Sequence, residues 1–148
     1  MIASSLKSIL KIFDERPSSD KEVQDLFNET VLMTLSRATS VDSNIHPVEV
    51  GIARQIVEEL TGQDVTDRDI RVASSSAIYE VGSLSRYLNA VSSSLSLDRK
   101  LELVNGLAKV INADERITER EVFFFNMVVS DLNLRASDLC GLSQTQSF

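Results

Sequence analysis

Apolar residues recur at three- and four-residue spacing along almost the whole chain, and an alternating run of strand length is hard to find. A 3.6-residue period collects such residues on one face of a helix, so the chain has to bury a series of helical stripes against one another. Only two prolines and five glycines interrupt the pattern in 148 residues. The expectation is an all-α fold: one domain over residues 1–148, built as a bundle of about seven helices. Hydrophobic side chains make up 43% and charged ones 25%, a globular composition. A domain of this length buries roughly two thirds of its surface and needs no disulfide or metal staple.

The stripes predict individual elements. Residues 2 to 15 place Ile2, Leu6, Ile9, Leu10 and Phe13 together and stop before Pro17. A second helix is expected from Asp20 to about Ser40, carrying Val23, Leu26, Phe27, Val31, Leu35 and Ala38. Its second half is apolar on most sides, which predicts a central position. A third opens at Pro47, where the missing N–H costs nothing, and closes near Gly62, a residue suited to a C-terminal cap. From Thr66 to Leu95 the stripe fits two helices meeting near Gly82, or a single bent one. Two more are expected, from Asp98 to about Ala113 and from Glu119 to Leu132, the latter with Phe123, Phe124, Met127 and Val128 inward. A last turn begins at Ser137, and residues 141–148 are expected to fray.

Charge and rare residues narrow the function. Fifteen basic against twenty-two acidic side chains leave a net charge of −7, whereas a nucleic-acid binder needs a basic face. The acidic balance favours cations or a protein partner with a basic surface. A single cysteine, Cys140, rules out an intrachain disulfide and a thiolate-rich zinc site, and a single histidine, His46, rules out a two-histidine zinc motif within the chain. His46 reads as a helix-start residue and Cys140 as a bystander. No run approaches the ~18 apolar residues of a membrane span. The amino terminus has no small-residue cleavage site, so a cytoplasmic protein is expected. No glycine-rich phosphate loop follows a strand, and Val81-Gly82-Ser83-Leu84-Ser85 lacks the second glycine of a nucleophile elbow. The chain does not read as an enzyme.

The chain also resembles itself. Shifted by 72 residues, Val31–Leu60 lies over Leu103–Leu132, so that Leu35 falls on Leu107, Arg37 on Lys109, Asp42 on Asp114, Ile45 on Ile117, Glu49 on Glu121, Val50 on Val122 and Leu60 on Leu132. One residue of slip later, Thr66-Asp67 meets Ser137-Asp138. Each copy is a helix, a short acidic loop and a second helix. Thr118-x-x-Glu121 spells a capping box, in which the N3 carboxylate reaches back to the cap N–H. His46-Pro47-Val48-Glu49 repeats it with a poorer cap, and Ile45 and Ile117 are placed for hydrophobic staples.

Asp42 and Asp114 are expected just past helix C-termini, where the dipole favours a cation. Two accounts fit them. Each shapes its turn through its own backbone, or Asp before the turn and Glu after it put two hard oxygen ligands at one junction, the set that Ca²⁺ or Mg²⁺ prefers. The second account makes Asp42, Glu49, Asp114 and Glu121 the candidate metal ligands. An EF-hand is excluded, because Pro47 stands where that loop needs glycine and no glutamate follows at its twelfth position.

At these residues the chain resembles the TerB-like family, named for a bacterial tellurite-resistance protein. That family carries Ala-Asp-Gly-x-Ile-x-x-x-Glu between helices in two related halves. Here the motif stands as Val41-Asp42-Ser43-Asn44-Ile45-His46-Pro47-Val48-Glu49 and Ala113-Asp114-Glu115-Arg116-Ile117-Thr118-Glu119-Arg120-Glu121, within a resemblance spanning residues 20 to 140. The family's glycine is Ser43 in one copy and Glu115 in the other. The resemblance implies an acidic helical module that binds a divalent metal, takes part in tellurite and other stress responses, and has no enzyme activity. Two alternatives stand beside it: a metal-free scaffold that binds a protein, and peripheral membrane association through the amphipathic segment 2 to 15.

Overall fold

The computed structural model describes residues 19–41, 47–75, 83–114 and 116–139. Six α-helices and one short 3-10 helix lie between Asp20 and Asp131, and no strand occurs among the described residues. They are α1 (Asp20–Ala38), α2 (Pro47–Thr61), α3 (Asp67–Ser74), α4 (Ser83–Ser92), α5 (Leu97–Ile111), the 3-10 helix Asn112–Asp114 and α6 (Glu119–Asp131). A further helical turn covers 136–139. The all-α expectation holds. The expected first helix, the segment around Gly82 and the carboxyl tail fall outside the described residues.

Helix ends follow local chemistry. Ser19, Thr66, Ser96 and Thr118 cap α1, α3, α5 and α6, each side chain accepting a hydrogen bond from the N–H three residues on. At its other end α2 closes on Gly62, whose φ of 71° is the left-handed conformation that glycine adopts without strain. Its N–H donates to the Glu58 carbonyl at 2.9 Å. Asn133, with φ 59°, plays the same part after α6.

The central position read for α1 is borne out: Val31, Met33, Thr34, Leu35, Ser36 and Ala38 are buried on all sides of its second half. It packs on α2, α3 and α5, while α6 lies on α4 and α5 at the edge. A helix enclosed this way cannot send its polar side chains to water; the Thr34 and Ser36 hydroxyls are buried without a hydrogen-bond partner among the described residues, whereas Thr30 bonds internally. Thr30 donates back to the Leu26 carbonyl at 2.7 Å, and its hydroxyl meets the Tyr87 hydroxyl of α4 at 3.1 Å. Tyr87 also donates to Glu29 at 3.3 Å.

One end of the bundle is closed by two junctions. Arg99 of α5 hydrogen-bonds Gln24 and lies over the Phe27 ring, 4.4 Å from its centroid, which ties the starts of α5 and α1 together. Ser92, at the end of α4, donates to the Leu132 carbonyl at 2.9 Å and accepts from Asn133 at 2.9 Å. The end of α6 is thereby fixed beside the turn that leads into α5. At mid-height, α5 approaches α2 through Gly106. A Cβ there would sit 2.8 Å from Ile56 Cγ2 and 3.4 Å from Leu60 Cδ1.

Two sequence expectations need correction. The spacing places Phe123 inward, yet it is 74% exposed, and of the three consecutive rings only Phe124 is buried, at 7% exposure. Among the described helices α6 packs chiefly against α4 and α5, so its buried stripe is narrower than its apolar one. Ile117, placed by the sequence for a hydrophobic staple, is 51% exposed. The last turn is capped two residues earlier than Ser137. Asp138 accepts from the Arg135 N–H at 2.9 Å, the part that Asp69 plays for the Thr66 N–H.

Candidate metal centre

The two glutamates expected as ligands arrive in like positions. Glu49 is the third residue of α2 and Glu121 the third of α6. An acidic side chain in a first helical turn is favoured by the dipole and by the open N–H groups there. Both carboxylates are enclosed, at 1% and 2% exposure. Carboxylates this buried are uncommon unless something compensates the lost hydration.

For Glu121 part of that compensation is visible. Its Oε1 accepts from the Thr118 N–H at 3.0 Å, while the Thr118 hydroxyl accepts from the Glu121 N–H at 3.1 Å. This is the capping box spelled by the sequence. Replacing Thr118 by Ala should cost about 1 kcal/mol, lowering the melting temperature by about 2–4 °C in a chain of this size. Thermal unfolding followed by circular dichroism checks it.

Of the two aspartates, Asp42 lies outside the described residues, as do Ile45 and His46. For Asp114 the structure describes the backbone, which ends the 3-10 helix that follows α5. That helix packs against α2, the element bearing Glu49. Among the described residues, no three His, Cys, Asp or Glu side chains gather into a metal-holding group. Cys140 is outside the described residues, and no described helix is long and apolar enough to cross a membrane.

A buried glutamate in the first turn of α2 and another in the first turn of α6 are what the paired motif anticipates. The family model of the tellurite resistance protein TerB matches residues 28–144, most of the chain. The chain belongs to the TerB family. The match begins inside α1 and runs past the last described residue, against the 20 to 140 read from the motifs. No curated protein and no solved structure matches the chain.

Within the TerB match, the sequence missed the polar cluster of Glu29, Thr30 and Tyr87. A carboxylate two residues after Phe27 and two before Val31, on a helix read as central, was the available signal.

Proposed function

We propose that this TerB-family domain is a non-enzymatic, divalent-cation-responsive helical module that acts through a protein partner in stress responses such as tellurite exposure. The observation that carries the reading is the matched pair of enclosed carboxylates, Glu49 and Glu121, each the third residue of its helix. Asp42 and Asp114 complete the proposed ligand set. Carboxylate and backbone-carbonyl oxygens suit hard cations, so Ca²⁺ or Mg²⁺ is favoured over a metal that seeks nitrogen or sulfur. The packing of the 3-10 helix on α2 supports one shared site over two separate ones.

The test is thermal unfolding of chelator-stripped protein with and without added cation. A ligand bound only by the folded state, at a hundred times its dissociation constant, adds about 2.7 kcal/mol. At this chain length that is a rise of about 5–10 °C. The Asp42→Asn/Asp114→Asn double variant should keep its fold and lose the rise. An undiminished rise in the double variant overturns the ligand assignment.

A second reading has its own observation. The capping box gives Glu121 a structural task that needs no metal, which fits a metal-free protein-binding scaffold. Absence of any cation-induced rise in the unmodified protein decides for it.

A further inference from the structure

Three glutamates are enclosed among the described residues: Glu29, Glu49 and Glu121. Glu49 and Glu121 stand in first helical turns, where open N–H groups and the dipole favour a negative charge. Glu29 has neither aid. It lies at the middle of α1, 7% exposed, where the backbone N–H groups are already bonded within the helix.

Proton counting bears on the state of its carboxyl. Thr30 Oγ1 stands 2.7 Å from the Leu26 carbonyl oxygen and 3.1 Å from the Tyr87 hydroxyl, which in turn stands 3.3 Å from Glu29 Oε1. Each of these three contacts between oxygens needs a proton. The two hydroxyls bring one each, and the carbonyl brings none. With Glu29 ionised, one contact is left with lone pairs facing each other, whatever else Glu29 touches. With Glu29 protonated the count closes in a single direction: Glu29 donates to Tyr87, Tyr87 to Thr30, and Thr30 to the Leu26 carbonyl. Thr30 and Tyr87 are 0% and 1% exposed, which keeps bulk water from supplying the missing proton.

We infer that Glu29 holds its proton at neutral pH, and that this proton latches α4 to the central helix α1.

The charges around α1 fit a neutral acid. Asp25, one turn before Glu29, is exposed, and its charge disfavours a second one at that spacing. Among the described cations, Arg54 of α2 ion-pairs with Glu58 and Asp67, and Arg99 of α5 lies over Phe27 and bonds Gln24. Lys100 follows Arg99 at the start of α5, and Arg68, Arg71, Arg86 and Lys109 are exposed. Of the remaining acids, Asp69 caps α3, Glu49 stands at the start of α2, and Glu59, Asp98 and Glu102 are exposed.

Such a latch responds to pH. Ionisation would put an anion in an enclosed setting and break the chain of donors at one contact, freeing α4, and α6 packed on it, from the core helix. In the unfolded chain a glutamate ionises near pH ~4.3, so above that point the folded state carries the extra proton and stability falls as pH rises. The loss continues until Glu29 ionises in the folded state as well.

Infrared spectroscopy of the full chain reads the proton directly, because a protonated carboxyl absorbs above the amide band and a carboxylate does not. The expected result at neutral pH is such a band, displaced by ¹³C labelling of glutamate and absent from Glu29→Gln. That variant offers Tyr87 an amide N–H that cannot ionise. Relative to it, the unmodified protein should lose stability from roughly pH 5 upward, its unfolding constant rising by up to about tenfold per pH unit. Tyr87→Phe removes the acceptor and should move the band to higher frequency, a check that does not depend on Glu29→Gln folding. Absence of the band at neutral pH, or a stability difference between the unmodified protein and Glu29→Gln that is constant with pH, overturns the inference. A band that both variants leave unmoved belongs to another carboxyl and overturns it too.

Discussion

Gly106→Val should lower stability by about 2–3 kcal/mol, the scale of an overpacked core, even though valine has the better helix propensity. The added methyls would enter the space held by Ile56 Cγ2, 2.8 Å from the ideal Cβ position, and by Leu60. Ile56 is branched at Cβ, so that methyl cannot swing aside without moving α2 itself. Gly51→Ala is the matched control. It lies in the interior of α2 with nothing within 4 Å of the new methyl and should stabilise by about 0.5–1 kcal/mol. Urea unfolding of the three proteins, with equal m-values, checks both signs. Equal effects at the two glycines would mean that α5 and α2 do not meet as closely as the structure has them.

Phe27→Ala should cost more, about 3–5 kcal/mol. The ring is fully buried at the junction of α1 and α5, and the substitution also strips Arg99 of the aromatic face it covers. Against a typical total of about 5–15 kcal/mol, that loss brings the domain near its threshold at physiological temperature. The midpoint of denaturant unfolding should fall accordingly. Arg99→Lys separates the two contributions, since lysine retains the charge and loses the planar stacking. A small change for Arg99→Lys beside a large one for Phe27→Ala would assign the cost to the cavity.

Much of this architecture was legible from periodicity, and the reason is visible in particular elements. Helix α2 opens at Pro47 and closes at Gly62 because both residues constrain backbone angles directly, independent of anything packed around them. Thr118 and Glu121 found each other for the same reason, being three residues apart in one turn. What depended on neighbours was harder to read. Phe123, Phe124 and Phe125 are chemically alike, and only the placement of α4 and α5 against one side of α6 decides which ring is covered. Tyr87 meets Glu29 and Thr30 across nearly sixty residues of chain, a pairing that spacing on one helix does not express. The candidate metal centre divides along the same line. The sequence placed Glu49 and Glu121 correctly at helix starts, but their near-complete enclosure is set by what packs over those starts.

The enclosure of α1 bears on how this domain is to be excised for further work. A fragment cut at residue 28, where the family match starts, would discard the Ser19 cap, the first two turns of the most central helix, and Phe27 with its guanidinium lid. The smallest piece that preserves the junction closing that end of the bundle starts no later than Ser19, nine residues upstream of the boundary that similarity alone would draw.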